Sequence, residues 1–265
     1  MRHILCMSGG KDSTALALYM RDRVLDMEYV FCDTNKELTE TYEYLNRVEA
    51  FLGKKIVRLN AKAGFDHWLD VFGGYLPSPN MRWCTKMLKL KPFEEYVGTE
   101  PAISYVGLRA DEDRVGYIST KSNIKAVFPF KEDGIEYAGV IKILEESGIG
   151  LPPYLAWGRT HSGCYFCFFQ RPIEWVRLLE THPEQFEQAM NYEKTDASLG
   201  RTFTWNQEMP LSELRKPENI AAIKKRYAVH EQRATKERRD LKLIEILTEK
   251  EEEDDGPKPC LICQL

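Results

Sequence analysis

The sequence predicts an α/β fold with a doubly wound, mostly parallel sheet, followed by a C-terminal helical extension that contains cysteines. The main observation is an alternation of patterns. Three short apolar runs, at 2–7, 27–32 and 55–59, are separated by helical patterns at 13–23 and 37–52. This spacing is typical of parallel strands joined by right-handed helical crossovers. A glycine turn directly after the first strand is the second observation.

The later elements follow from the same kind of pattern. Residues 65–97 are helical but irregular, and further strands are expected at 102–108 and 125–130. Further helices are expected at 137–146, 174–191 and 220–247. We expect three segments: a nucleotide-binding α/β domain at 1–170, a helical region at 171–248, and an acidic linker with a CxxC tail at 249–265.

Composition excludes several classes of protein. The chain has 265 residues, of which 43% are hydrophobic and 29% charged, as in ordinary globular proteins. It contains no apolar run of membrane-spanning length. The apolar stretch at the start is too short for a signal peptide, so we expect a cytoplasmic protein without a membrane partner. The net charge of −4 neither predicts nor excludes a polyanionic partner, although basic residues concentrate at 224–242.

The loop between the first strand and the first helix carries the strongest functional signal. It reads Ser8-Gly9-Gly10-Lys11-Asp12-Ser13-Thr14. The glycines allow a tight turn that leaves backbone N–H groups facing an anion, and the helix start adds a partial positive charge. Lys11 adds a full charge, and the hydroxyls add donors. The spacing is not that of a Walker A loop, but the residues predict a phosphate cradle.

This SGGKDS loop resembles the PP-loop of the ATP pyrophosphatases and the phosphoadenylylsulfate (PAPS) reductase family. The resemblance implies an adenine-nucleotide alpha-hydrolase fold that binds ATP with Mg²⁺, cleaves it between the α- and β-phosphates, and adenylates a substrate oxygen. In the reductase branch, the bound nucleotide itself carries the sulfate. The resemblance implies that the whole loop, Ser8 to Thr14, binds the nucleotide and that Lys11 and Asp12 are catalytic.

Two further segments resemble the reductase branch. Asp33-Thr34-Asn35 resembles the family's Asp-Thr-Gly at the end of the second strand, where such folds contact the nucleoside. Asn35 replaces the usual glycine, and asparagine tolerates left-handed backbone geometry. Gly107 and Arg109 resemble a Gly-x-Arg segment, followed here by Asp111 and Arg114. The resemblance implies that Asp33, Thr34 and Gly107 bind the nucleotide and that Arg109 meets phosphate as a catalytic residue.

The cysteines predict metal or redox chemistry rather than a disulfide framework, because their number is odd and two pairs have CxxC spacing. The seven lie at Cys6, Cys32, Cys84, Cys164, Cys167, Cys260 and Cys263. Cys6 and Cys32 fall in apolar strands and are expected in the core. The two CxxC pairs together have the four thiolates of a structural zinc site, and free thiols are a further alternative.

The segment Arg82-Trp83-Cys84-Thr85, with the later CxxC, resembles the iron-sulfur adenylylsulfate reductases. The resemblance implies a 4Fe-4S cluster on Cys84, Cys164 and Cys167, with Cys260 or Cys263 as fourth ligand. A cluster with three thiolates and one open iron, as in some tRNA thiolation enzymes, is an alternative. The tail lacks the reductases' Glu-Cys-Gly-Leu-His motif, and its cysteines are instead candidates for carrying a persulfide.

The same segments look most like the DNA phosphorothioation proteins (DndC and SspD). The resemblance implies that ATP activates a nucleic-acid phosphate, DNA in preference to tRNA, and that a cysteine desulfurase supplies the sulfur. Arg82, Lys86, Lys89, Lys91 and the basic stretch at 224–242 are candidates for contacting nucleic-acid phosphates. Two alternatives stay open: a reductase of a sulfated adenine nucleotide, and a non-catalytic nucleotide-binding subunit.

Overall fold

The structure is a computed structural model that describes residues 1–113, 121–196, 201–206 and 208–240. The chain divides into two compact units. The first comprises Met1–Tyr165, and the second begins at Phe166. Arg114, Cys260 and Cys263 lie outside these ranges, so the predictions for these residues lie outside the described part.

The first unit is built on a five-stranded sheet in which every neighbouring pair is parallel. Its order is β3-β2-β1-β4-β5. The strands are β1 (Arg2–Met7), β2 (Met27–Asp33), β3 (Ile56–Asn60), β4 (Ala102–Tyr105) and β5 (Ile124–Val127). The predicted doubly wound, parallel α/β sheet is therefore confirmed. The three inner strands β1, β2 and β4 coincide with apolar runs of the sequence, because a parallel sheet covered on both faces buries both sides of its inner strands. The edge strands β3 and β5 are only partly buried. The strand expected at 125–130 ends at Val127, and the prediction was wrong for its end because residues 129–132 are helical.

Helices cover both faces of the sheet. They are α1 (Lys11–Met20), α2 (Thr39–Leu52), α3 (Phe65–Val71), α4 (Trp83–Thr85), α5 (Lys91–Val97), α6 (Pro129–Glu132) and α7 (Tyr137–Ser147). A π-helical turn joins α4 to α5, and a single 3₁₀ turn follows α7. Alternate residues of β1 serve the two faces: Leu5 packs with the helices α1, α2 and α7, whereas Cys6 packs with α5. Cys6 and Cys32 are core residues, as predicted.

The second unit is mainly helical. It contains α8 (Pro172–Thr181), α9 (Pro183–Tyr192), α10 (Leu211–Leu214), α11 (Pro217–Asp240) and an antiparallel pair, β6 (Lys194–Asp196) with β7 (Arg201–Phe203). Its interior is aromatic, with Trp175, Phe186 and Trp205 all buried. Among the residues described, no helix is both long and apolar enough to cross a membrane.

Two sequence predictions for this unit were wrong in detail. One helix was expected over 174–191, but two helices meet there at His182. Pro183 explains the break, because proline cannot donate the backbone hydrogen bond that would continue α8 and instead suits the first turn of α9. The short hairpin β6–β7 was not predicted. The last helix begins three residues earlier than expected, and its predicted end at 247 lies outside the described residues.

Candidate phosphate-binding and thiol site

The strand order creates a crevice at the carboxyl edge of the sheet. From β1, the chain adds β2 and β3 on one side and then returns to add β4 on the other. Such a reversal separates the loops that follow the two neighbouring strands, and open α/β sheets bind ligands in the resulting crevice. Ser8 and the two glycines follow β1, and the segment ending at Arg109 follows β4. The loop predicted from the sequence therefore lies at the switch point.

Close neighbours leave no room for a side chain at either glycine of the loop. Gly9 has φ +68°, a conformation that favours glycine, and a Cβ there would lie 2.8 Å from Thr41 Cγ2. A Cβ on Gly10 would lie 2.7 Å from Ser162 Oγ. Since nonbonded carbon and oxygen atoms do not approach this closely, larger residues at either position would reshape the loop.

Hydroxyl groups hold the loop in shape from within. The Ser8 N–H donates to Ser13 Oγ at 3.2 Å, and the Gly10 N–H donates to Ser8 Oγ at 3.3 Å. Ser13 Oγ donates in turn to the Gly10 carbonyl at 3.2 Å. Ser8, Ser13 and Thr14 are all buried. The loop is thus a preformed turn at the start of α1 and does not depend on a ligand for its internal hydrogen bonds.

The first turn of α1 presents backbone N–H groups that have no partner within the helix. The N–H of Lys11, the first residue of α1, donates to the Tyr154 hydroxyl at 3.1 Å. Lys11 Nζ lies 3.1 Å from Asp12 Oδ2. The helix start therefore combines backbone N–H groups with a lysine, which is the arrangement that binds phosphate oxygens.

Arg109 bridges the two loops of the crevice. Its Nη1 lies 3.1 Å from Asp12 Oδ1, and its Nε lies 2.9 Å from Asp111 Oδ1. Burial works against the charged guanidinium, but the carboxylates of Asp12, Asp111 and Glu112 outweigh it and raise the pKa of Arg109. Arg109 is thus held by a salt bridge to Asp12 of the phosphate loop, and its expected contact with phosphate stays a prediction.

The loop after β2 is shaped by its own aspartate. Asp33 Oδ1 accepts the Asn35 N–H at 2.8 Å and the Tyr42 hydroxyl at 2.7 Å. Burial raises the pKa of Tyr42, and the hydrogen bond to Asp33 adds to the shift. Asn35 has φ +57°, as expected for a residue in the glycine position of the motif. The nucleoside-binding role of Asp33 and Thr34 stays a prediction.

Cys164 lies against this same loop. Its Sγ is 3.1 Å from Thr34 Oγ1, and it is placed to donate to Glu37 Oε1 at 3.6 Å. Burial raises the pKa of Glu37, although the positive charges of Lys89 and Arg159 act in the opposite direction. A half-buried thiol therefore sits among polar groups at the edge of the sheet that also carries the phosphate loop.

The segment 150–165 brings Cys164 to this position. Tyr44 donates to the Gly150 carbonyl at 3.1 Å, and the Trp157 indole donates to Glu40 Oε1 at 2.8 Å. Its Ser162 Oγ lies 3.1 Å from Ser8 Oγ, and the Tyr165 N–H donates to the Lys36 carbonyl at 2.9 Å. The CxxC pattern marks Cys164 in the sequence, whereas no pattern marks Tyr154 or Ser162, because their partners Lys11 and Ser8 are far away along the chain.

The predicted metal site does not form from the described residues alone. A zinc ion or a 4Fe-4S cluster needs three or four protein ligands around one point. Within the described ranges, no group of three or more His, Cys, Asp or Glu side chains is arranged to hold a metal ion. Cys84, Cys164 and Cys167 therefore do not make such a set there, and Cys260 and Cys263 lie outside the described residues. The cluster and the zinc alternative stay predictions.

The basic residues near Cys84 differ in exposure. Arg82, Lys86 and Lys91 are exposed, as nucleic-acid contacts would require. Lys89 was expected to join them, but it is buried with 8% exposure next to Cys32, so the prediction of a surface contact was wrong for this residue.

The second unit supplies a further basic stretch. In α11, Lys224 pairs with Glu180 and Arg226 pairs with Glu208, so part of its positive charge is neutralised by neighbouring carboxylates.

The fold and the loop define a class: a doubly wound α/β protein with a phosphate cradle at its switch point. The model for the phosphoadenosine phosphosulfate reductase domain matches residues 2–157. The chain therefore belongs to the phosphoadenosine phosphosulfate reductase domain family. A crystal structure of PAPS reductase from Candida auris, in a phosphate complex, is similar in fold, with TM-score 0.50 and 17% identity over 62% of this chain and 81% of that one.

This chain matches only part of the length of several relatives in sequence. An uncharacterized protein of Methanocaldococcus jannaschii is 34% identical over 208 residues, which are 71% of this chain and 40% of that protein. A second protein of the same archaeon is 25% identical over 79% of this chain and 53% of its own length. The adenosine 5'-phosphosulfate reductase of Bacillus cereus is 36% identical over 85 residues, 31% of this chain and 36% of the reductase. This chain thus spans about half or less of these relatives' length.

Proposed function

We propose that this protein is an ATP pyrophosphatase that adenylates a nucleic-acid substrate for sulfur insertion, and that its substrate is the backbone phosphate of DNA. One observation supports this proposal above all. Ser162 Oγ lies 3.1 Å from Ser8 Oγ in the phosphate loop, and Cys164 follows only two residues later. Two residues span at most about 7 Å. Phosphate chemistry and thiol chemistry therefore share one edge of the sheet.

The proposed reaction has two steps. A nonbridging oxygen of the substrate phosphate attacks the α-phosphorus of ATP, the bond to the β-phosphate oxygen breaks, and pyrophosphate leaves. A sulfur nucleophile, carried as a persulfide, then attacks the activated substrate phosphorus and displaces AMP; reduction by a thiol leaves the phosphorothioate. Adenylation is needed because an oxygen of a phosphodiester is a poor leaving group.

The loop residues have defined tasks in the first step. The backbone N–H groups at the start of α1, together with Lys11, hold the phosphate oxygens as negative charge moves to pyrophosphate. Mg²⁺ bound to the ATP phosphates would supply further charge compensation. Asp12 is held by both Lys11 and Arg109, which fixes the orientation of its carboxylate toward the crevice.

The partners in this proposal are nucleic acid and a cysteine desulfurase that supplies sulfur. The exposed residues Arg82, Lys86 and Lys91 support the first partner, because phosphate contacts need accessible cations. The proposed adenylation step does not use the predicted metal cluster.

The test is release of pyrophosphate from ATP in the presence of DNA, followed by sulfur incorporation when desulfurase, cysteine and a thiol reductant are added. We expect Lys11→Ala to abolish both, since it removes the charge at the phosphate cradle. Lys62→Ala is the matched control, because Lys62 is exposed and pairs only with Glu95 in the described structure. Pyrophosphate release by Lys11→Ala at the wild-type rate would contradict the proposal. Sulfur incorporation into tRNA instead of DNA would correct the substrate.

A second candidate is a reductase of a sulfated adenine nucleotide. The similarity to the adenosine 5'-phosphosulfate reductase of Bacillus cereus favours it. That enzyme class would release sulfite from adenylylsulfate or PAPS in the presence of a thiol. Sulfite release without any pyrophosphate release from ATP would replace the first proposal with this one. ATP binding with neither product would instead identify a non-catalytic nucleotide-binding subunit.

A further inference from the structure

Two buried hydroxyl groups reach the phosphate loop from the segment 150–165. Tyr154 is 4% exposed, and its hydroxyl oxygen accepts the N–H of Lys11 at 3.1 Å. Ser162 is 8% exposed, and its Oγ lies 3.1 Å from Ser8 Oγ. Neither residue belongs to the Ser8–Thr14 motif, and no other motif of the sequence includes either of them.

The hydrogen-bonding capacity of Tyr154 is only partly used in this arrangement. A phenolic hydroxyl can accept a hydrogen bond and donate one. Its oxygen already accepts from Lys11, so its hydrogen is available to a second group. Burial raises the pKa of Tyr154, and the negative charge of Asp12 adds to the shift, so the hydroxyl keeps its hydrogen at neutral pH.

The Tyr154 hydroxyl oxygen lies where an oxygen of a bound anion would accept a hydrogen bond from the helix start. Lys11 is the first residue of α1, and its N–H is one of the donors that a helix start directs at an anion. The Tyr154 hydroxyl accepts a hydrogen bond from this N–H and has a hydrogen of its own to donate. The phenol therefore offers a donor of its own beside the helix start, in place of the N–H that it occupies.

Ser162 acts on the other side of the loop. Its Oγ would be only 2.7 Å from a Cβ on Gly10, so the hydroxyl lies directly against the backbone of the second glycine. Because it also contacts Ser8 Oγ, which accepts the Gly10 N–H, it fixes the group that orients this part of the loop.

We propose that Tyr154 and Ser162 complete the phosphate-binding site: Tyr154 donates its hydroxyl hydrogen to an oxygen of the bound phosphate or pyrophosphate group, and Ser162 is a positioning residue that holds Ser8 and Gly10 in the binding conformation. The proposal rests on the proposed function for the identity of the natural ligand as ATP. The chemical class it requires is a phosphate oxyanion.

Calorimetric titration with inorganic pyrophosphate and with Mg-ATP tests the proposal. We expect Tyr154→Phe to raise Kd for both ligands about 10-fold or more, since a hydrogen bond to a charged oxygen is lost. Tyr105→Phe is the matched control, because it also removes a buried tyrosine hydroxyl, one that contacts His3 instead of the loop. Its Kd should equal that of the wild type.

The possible outcomes separate the readings of Tyr154. An unchanged Kd in Tyr154→Phe, with an unfolding midpoint like that of Tyr105→Phe, overturns the proposal and makes the residue a packing residue. A lower Kd also overturns it, because the phenol would then compete with the anion for the Lys11 N–H. If Tyr154→Phe does not fold, Ser162→Ala decides: about a threefold rise in Kd at an unchanged midpoint supports the proposal, and an unchanged Kd overturns it.

Failure of this inference is distinct from failure of the proposed function. The titrations measure binding and need no turnover. If the wild-type protein binds pyrophosphate and Tyr154→Phe binds it weakly, the inference stands even when ATP is not cleaved. If ATP is cleaved normally but Tyr154→Phe binds like the wild type, only the inference fails.

Discussion

Replacing Gly107 with alanine should weaken the phosphate site through a contact between the two loops of the crevice. A Cβ on Gly107 would lie 3.0 Å from the carbonyl carbon and oxygen of Asp12 and 3.3 Å from the Ser13 nitrogen. These are backbone atoms at the start of α1, so they cannot move aside as the end of a flexible side chain can. The new methyl group must therefore push α1 and the β4 loop apart.

The expected cost follows from this geometry. Contacts of 3.0 Å require the neighbouring backbone to shift by a few tenths of an ångström. Added methyl groups in tightly packed sites cost about 1–3 kcal/mol of unfolding free energy. The backbone that moves carries the donors for phosphate, and the loss of one hydrogen bond to a charged oxygen corresponds to about a 10-fold rise in Kd.

Urea unfolding and calorimetric titration with Mg-ATP measure the two effects. Gly64→Ala is the control, since a Cβ there meets no atom within 4 Å. It should leave affinity unchanged and stability within about 0.5 kcal/mol of the wild type. If Gly107→Ala matched Gly64→Ala in both stability and affinity, the close packing of β4 against the phosphate loop would have no energetic consequence, and the reasoning would be refuted.

Three other results are expected. Arg109→Met should lower the unfolding free energy by about 3 kcal/mol and abolish pyrophosphate release, because its buried carboxylate partners lose their guanidinium; a stable, active variant would contradict this. Burial raises the pKa of Cys32 to about 11, so iodoacetamide at pH 8 should modify Cys164 before Cys32, as peptide mass spectrometry would show. The hydrogen bond from Arg2 lowers the pKa of Glu28, so stability from this pair is present above the unfolded value of about 4.3 and is lost as the pH falls through the folded value. In acid titrations of unfolding, Glu28→Gln should therefore lose less stability than the wild type as the pH falls from about 5 to about 2.

The sheet and the phosphate loop were predictable because their signals are local. Parallel strands read as apolar runs, and the loop motif requires its glycines at fixed positions between a strand and a helix. Asn35 was also predictable, since its motif position needs left-handed backbone and it adopts φ +57°. In each case the residue type and its immediate neighbours determine the structure.

Residues whose environment depends on distant parts of the chain were not predictable in the same way. Tyr154 contacts Lys11 from 143 residues away, and no periodicity records such a contact. Lys89 was expected to contact nucleic-acid phosphates, which requires an exposed side chain, yet it lies in the π-helical turn Lys86–Leu90 and is buried. A π-helical turn changes the angular spacing of side chains, so the usual helical periodicity misplaces the residues in it.

The segment 150–165 links the two chemistries of the proposed reaction in one piece of chain. Arg159 is 2% exposed and donates to the carbonyls of Gly163 at 3.0 Å and Cys164 at 2.7 Å, which fixes the turn that presents the thiol. The same segment sends Tyr154 and Ser162 to the phosphate loop. The preformed phosphate loop is therefore connected to the thiol through a few covalent bonds and buried hydrogen bonds. In the proposed reaction, this arrangement would hold the sulfur at a fixed position relative to the activated phosphate.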